Sequence, residues 1–180
     1  MRWWWIDKFT EFQSGKYAKS VKCVSLAEEQ VDDYMPAYPI MPNSLIIEGL
    51  AQTGGLLIGQ LSDFERSVVL AKVAKAKFHL TATPGDQLRY TATIDRIEPD
   101  GALVCCQVDV DDRRLADIEL YFAYFDNRNI DRGQFIPAEF MRMMRVFRLY
   151  DVGVDDQGNP LKIPDRLLNA EEQALQPNHS

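Results

Sequence analysis

Residues 34 to 52 read Tyr34-Met35-Pro36-Ala37-Tyr38-Pro39-Ile40-Met41-Pro42-Asn43-Ser44-Leu45-Ile46-Ile47-Glu48-Gly49-Leu50-Ala51-Gln52, and the fold is decided there. Pro36, Pro39 and Pro42 predict an extended, turning loop, because proline fixes φ and disfavours helix in the residue before it. Asn43 or Ser44 is then the expected helix cap. From Leu45 to Ile58 the chain is apolar almost all round, which predicts a helix ending near residue 60 that is enclosed rather than laid on a surface. Its second turn carries one carboxylate, Glu48. Burying an acid is costly unless it is partnered or used. Gln52, one turn later on the same face, is placed to orient it. The Gly54-Gly55 pair lowers helix propensity and predicts close packing against another element.

Outward from this helix the chain is β-rich. Residues 16–25 alternate as a half-exposed strand. Residues 67–79 form another run, Pro84-Gly85-Asp86 a turn, and residues 87–97 alternate strongly. A turn at Pro99-Asp100-Gly101 precedes two further strands, 102–110 and 114–125, joined by an Asp111-Asp112-Arg113 hairpin. Such close spacing implies an antiparallel meander. One long buried helix with four or five antiparallel strands is an α+β arrangement, a sheet wrapped around a helix. After residue 126 the pattern changes: a helix near 137–149, a Gly/Asp/Pro-rich linker from 151 to 164, and a short polar helix near 165–175. These predict a main domain over residues 1–126 and a helical C-terminal extension over 127–180.

Composition narrows the function. The chain has 180 residues, 46% hydrophobic and 26% charged, which suits one domain with a real core and argues against disorder. A net charge of −7 argues against nucleic acid as a partner. No apolar run reaches the length of a membrane span, and Met1-Arg2-Trp3-Trp4-Trp5-Ile6-Asp7 lacks the features of a signal peptide, so the cytoplasm is expected. Cys23, Cys105 and Cys106 are the only cysteines. Strand neighbours point to opposite faces, so Cys105 and Cys106 are read as packing residues rather than a bonded pair. Two histidines, His79 and His179, argue against a histidine-based metal site.

Together these motifs resemble the hotdog fold, specifically the 3-hydroxyacyl-acyl-carrier-protein dehydratases of the FabA and FabZ type. The family's H-F-P-G-x-P-x-M-P-G run stands here as Tyr34 to Asn43, and its E-x-L-A-Q as Glu48-Gly49-Leu50-Ala51-Gln52. Its K-F-x-x-x-x-x-P-G-D stands as Lys77-Phe78 through Pro84-Gly85-Asp86. Gly15-Lys16 followed by Val21-Lys22-Cys23-Val24-Ser25 fits as well, so the likeness spans roughly residues 3–126. The resemblance implies a homodimer or a trimer of dimers with active sites at the dimer interface. It implies an acyl-carrier-protein or coenzyme A thioester as substrate, and no cofactor or metal. A histidine takes the C2 proton, and the helix glutamate, from the other subunit, protonates the departing 3-hydroxyl. A backbone N–H and a helix N-terminus polarise the thioester carbonyl. Carried onto this chain, the catalytic positions are Glu48 and Tyr34. The substrate-binding positions are Met35, Ala37, Tyr38, Asn43 and Gln52.

The chain departs from the pattern at the base. Tyr34 stands in the histidine's place, and tyrosine ordinarily ionises near pH 10, roughly a thousandfold short of a ready base at neutral pH. Asp33 is adjacent but is expected to point elsewhere, and His79 reads as an ordinary strand histidine. Met35 replaces phenylalanine. Ala37 replaces glycine, keeping the N–H while restricting the backbone. Asn43 replaces the second glycine and tolerates positive φ. Three functions stay open: a dehydratase using Glu48 with an unusual partner, a hotdog thioesterase in which Glu48 activates water, or a non-catalytic acyl-thioester binder or partner subunit. Elsewhere, Trp3-Trp4-Trp5 reads as aromatic packing at the dimer or sheet edge that could also touch an acyl chain or a partner. Arg142, Arg145 and Arg148 read as a solvated helix face that could also receive an acidic carrier, with Lys72, Lys75 and Lys77 open to the same two readings. Met141, Met143, Met144, Val146 and Phe147 are expected to dock the first helix of the extension.

Overall fold

The computed structural model describes residues 3–32, 34–35, 37–125 and 136–175. Asp33, Pro36, His179 and the boundary at residue 126 lie outside them. Strands β1 (Lys8–Gln13) and β2 (Tyr17–Cys23) form a hairpin, followed by a one-turn helix α1 (Glu29–Asp32) and the central helix α2 (Asn43–Gln60). Strands β3 (Ser67–Phe78), β4 (Gln87–Glu98), β5 (Gly101–Val110) and β6 (Arg113–Phe125) follow. The extension holds α3 (Pro137–Val146), α4 (Leu149–Val152), the two-residue strand β7 (Gly153–Val154) and α5 (Asp165–Leu175). The sheet runs β3-β6-β5-β4-β2-β1-β7, antiparallel apart from the β1–β7 pair. This is the expected α+β hotdog: a curved sheet around one long helix. No helix among the described residues is long and apolar enough to cross a membrane.

Alternation sets the sheet's two faces. Along β5, Ala102, Val104, Cys106, Val108 and Val110 are buried while Cys105 is exposed, as expected for adjacent residues. Burial pushes the Cys106 thiol well above its usual range, so it behaves as a small apolar side chain. Between β5 and β6, Asp111 and Asp112 both have positive φ, the tight hairpin turn that matches strand twist. The edge strand β3 places Lys72, Lys75 and Lys77 on the outer face, opposite Tyr121, Glu119 and Asp117. Lys75 pairs with Glu119 at 3.3 Å.

Glycines let α2 lie close to the sheet. A Cβ on Gly54 would come within 3.1 Å of the Phe122 ring, and one on Gly49 within 2.8 Å of both the Trp5 carbonyl oxygen and the Tyr90 ring. Two expectations for this helix change. Its N-cap is Pro42, with no side-chain cap bond, and Asn43 and Ser44 are already helical. Nor is it wholly enclosed: Ile47, Glu48, Ala51, Gln52, Gly55 and Leu56 form one half-buried stripe.

The C-terminal segment packs into the same core as the sheet. Met141, Met144, Phe147, Leu149 and Leu167 are fully buried in the common core. Val146, expected to dock, is instead exposed. The first helix stops before residue 149 because Arg148 turns left-handed, at φ 59°, and α4 starts afresh. The expected linker contains β7, which pairs with β1, and a turn in which Asp155 Oδ1 accepts the Gln157 and Asn159 N–H groups.

The arginine stripe is largely occupied by acids of the extension itself. Arg145 makes a bidentate contact with Glu171 at 2.7 and 2.6 Å, and Arg148 meets Asp151 at 3.1 Å. Arg145 holds the Glu171 carboxyl below its usual range. A carboxylate with a lowered folded-state pKa stabilises above its ordinary titration and loses that contribution as pH falls through the folded value. The α3–α5 contact is therefore expected to weaken below about pH 4. Thermal melts by circular dichroism should show Tm falling between pH 6 and pH 3, with a smaller fall in Glu171→Gln.

Candidate active site

Glu48 sits in the second turn of α2, on the half-buried stripe. Gln52, one turn on, donates from Nε2 to Glu48 Oε1 at 3.0 Å. The same Nε2 donates to the Trp3 carbonyl at 2.9 Å, and Gln52 Oε1 accepts the Trp5 N–H at 2.8 Å. Since the Trp5 N–H can only donate, it fixes which end of the carboxamide is oxygen, and both Nε2 protons are then committed. Gln52 is a three-way clamp between the carboxylate and the N-terminal segment. Glu48 Oε2 takes no hydrogen bond from the described residues, which leaves that oxygen available for a proton.

Gly49, next to Glu48 on α2, packs tightly against its neighbours. Tyr90, on β4, is fully buried with its ring against Gly49, and burial raises its phenol above the usual range. Its hydroxyl and the Trp5 indole N–H find no partner among the described residues. Nearby, Lys22 is buried, bonded to Glu28 and 3.6 Å from Asp7. Trp5 is buried, while Trp3 remains 52% exposed with its ring edge-on to Trp5 at 5.3 Å. The tie of this tryptophan segment to Gln52 is not foreshadowed in the sequence. No local pattern signals it, because it depends on contacts spanning residues 3 to 52.

The loop before α2 is anchored at its end, where buried Met41 donates its N–H to the Ala82 carbonyl at 2.9 Å. Its tip projects outward: Tyr34 is 59% exposed, and Met35 and Tyr38 are exposed as well. The structure brings Glu48 and Gln52 together, and no hydrogen bond within the chain joins Tyr34 to Glu48 among the described residues. Asn43 does not adopt the positive φ it was expected to tolerate; it lies in the first turn of α2. Ala37, by contrast, has φ 70°, so the backbone keeps a glycine-like geometry without a glycine. A left-handed residue with a Cβ costs roughly 1–2 kcal/mol. Ala37→Gly is therefore expected to raise Tm by about 2–4 °C after the entropy cost of the added glycine, and a lower Tm in a calorimetric scan would contradict this. His79 lies just past β3, its Nε2 2.9 Å from Asp117 Oδ2, and Arg114 braces the same carboxylate at 2.6 Å. That arrangement fits the plainer reading of His79 as part of a surface network.

Comparison with known proteins bears on this geometry. The family model for the FabA-like domain matches residues 4–119. The 3-hydroxyacyl-[acyl-carrier-protein] dehydratase FabZ of a Sulfurovum species is 35% identical over 124 residues, covering 64% of this chain and 82% of the relative. FabZ of Lawsonia intracellularis is 33% identical over 128 residues, covering 69% and 84%. Among solved structures, a chain of the dehydratase heterocomplex ApeI:P from Xenorhabdus doucetiae superposes with a TM-score of 0.58 at 13% identity, covering 69% of this chain and 85% of that one. That structural likeness shows the fold alone. The matched span takes in the loop, α2 and most of the sheet and stops short of α3 to α5, and on it the chain belongs to the FabA-like family of hotdog proteins.

Proposed function

We propose that this protein acts on 3-hydroxyacyl thioesters as a hydro-lyase of fatty acid synthesis, with Glu48 as the acid. The observation that carries the reading is the Glu48 carboxylate held by Gln52 on the central helix, at the glutamate position of the motif. The relatives' names supply the substrate class, a 3-hydroxyacyl group on acyl carrier protein.

In the dehydration direction a base removes the C2 proton, the C2=C3 bond forms, and the C3–O bond breaks. Glu48 gives its proton to the departing hydroxyl, which leaves as water, and is left as the carboxylate. Enolate charge on the thioester oxygen needs N–H donors. Support for such a site comes from the α2 N-terminus, which has no side-chain cap, and from the Ala37 N–H in its left-handed turn. Tyr34 stands where the base stands in the motif. Met35 and Tyr38, with Asn43 at the helix start, line the approach in this reading.

The half-buried stripe of α2 and the open edge of β3 suit a second copy, giving a homodimer or a trimer of dimers. Residues 1–126 form the dehydratase-like domain and 127–180 its extension, in a cytoplasmic protein.

A second reading, a non-catalytic acyl-thioester binder or partner subunit, is favoured by one observation: Tyr34 is exposed and its hydroxyl makes no hydrogen bond among the described residues. Tyr34→Phe and Tyr34→His separate the two. If Tyr34 serves the reaction, Tyr34→Phe lowers hydration of trans-2-enoyl thioesters by on the order of a hundredfold. An inactive wild type that gains hydration in Tyr34→His supports the binder.

A further inference from the structure

The extension lies beyond the span that matches the family, yet it reaches the site. Phe147, at the C-terminal end of α3, is fully buried, and its carbonyl accepts the Phe9 N–H at 2.8 Å. Its ring meets Trp4 edge-on at 5.4 Å and Phe9 at 6.5 Å. Residues 3–6 belong to no strand, since β1 begins at Lys8. Two contacts therefore flank this short segment: Phe147 against Trp4 on one side, and Gln52 bonded to Trp3 and Trp5 on the other. Gln52 in turn holds Glu48 Oε1.

We infer that the C-terminal extension acts through Phe147 and Trp4 as a positioning device for the Glu48 carboxylate. The order of contacts is Phe147, Trp4, the Trp3 and Trp5 backbone, Gln52, Glu48. With the segment displaced, Gln52 Oε1 loses the N–H that fixes the carboxamide, and Nε2 no longer has a set direction toward Glu48. An acid must lie within hydrogen-bond reach of the group it protonates, so a carboxylate free to rotate is a poorer one. Phe147 and Trp4 touch no reacting atom in this scheme and act only through Gln52.

The catalytic consequence rests on the Glu48 reading above, and the structural coupling does not. Both are tested on the full chain with Trp4→Ala, Phe147→Leu and the conservative Trp4→Phe. Amide hydrogen exchange is followed at Trp5, with Leu50 in the interior of α2 as the reference. Trp4→Ala and Phe147→Leu are expected to speed Trp5 exchange about two- to tenfold, the population change that one aromatic pair corresponds to. Leu50 stays unchanged, and Trp4→Phe restores the wild-type rate. In enoyl-thioester hydration the same two variants lower kcat by on the order of tenfold to a hundredfold with KM unchanged, again restored in Trp4→Phe. Equal acceleration at Trp5 and Leu50, or none at Trp5, overturns the inference. A wild type that does not turn over removes the catalytic reading of Glu48, and the exchange result still decides whether the extension holds the segment.

Discussion

Replacing Glu48 with glutamine is expected to lower hydration of trans-2-enoyl thioesters by roughly a hundred- to ten-thousandfold, the usual contribution of a positioned acid or base. The substitution preserves shape, and the new carboxamide oxygen can still accept from Gln52 Nε2, so the local contact survives. What disappears is the proton that can be passed to or from the substrate oxygen. Because the residue is half-buried and its one described hydrogen bond is retained, stability should change by less than about 0.5 kcal/mol. The expected pattern is an unchanged Tm with lost turnover. Retained turnover would move the acid elsewhere, and a large fall in Tm would show that the carboxylate is chiefly structural.

The second large effect is on the helix–sheet contact beside that carboxylate. Gly49→Ala puts a methyl group 2.8 Å from the Trp5 carbonyl oxygen and from the Tyr90 ring. Neither neighbour can withdraw easily. The Trp5 backbone is held by Gln52, and Tyr90 is fully buried on β4 between its two paired strands. Overpacking of this kind costs about 1–3 kcal/mol, or about 2–4 °C of Tm for each kcal/mol at this chain length. The same clash pushes Trp5 from Gln52, so activity should fall beyond what lost stability explains. Gly55→Ala provides the contrast. Its Cβ would sit 3.5 Å from the Phe122 ring, an ordinary contact, and losing a helix glycine should stabilise by about 0.5–1 kcal/mol. Thermal melts of the two variants should therefore move in opposite directions.

Much of this architecture is legible along the chain. α2 shows as a long apolar run, and β4 to β6 show as alternation separated by turn residues, because these signals are local. β1 is hidden for a specific reason. Phe9 and Phe12 are three apart and would face opposite sides of a regular strand, but a register shift between Phe9 and Glu11 lets both be buried. β7 has only two residues and exists through pairing with β1, so no local pattern marks it. The left-handed Arg148 that ends α3 and starts α4 is likewise set by packing on either side, where Phe147 and Leu149 are both buried.

The site divides in the same way. Glu48 and Gln52 are one helical turn apart, so their contact follows from the period of the helix. The tie from Gln52 to Trp3 and Trp5 does not, since it joins residues 47 and 49 positions apart. Ala37 shows the limit of reading by residue type. Alanine argues against a left-handed turn, yet the turn is kept and its strain is carried by the fold around it.

The most direct measurement is the initial rate of hydration of trans-2-enoyl thioesters on acyl carrier protein and on coenzyme A, over several chain lengths. Hydrolysis of saturated acyl thioesters is followed alongside, for wild type and Glu48→Gln. The account predicts hydration by the wild type, its loss in Glu48→Gln, and no hydrolysis by either. Hydrolysis without hydration, hydration that persists in Glu48→Gln, or no reaction of any thioester by the wild type would contradict a dehydratase site built on Glu48.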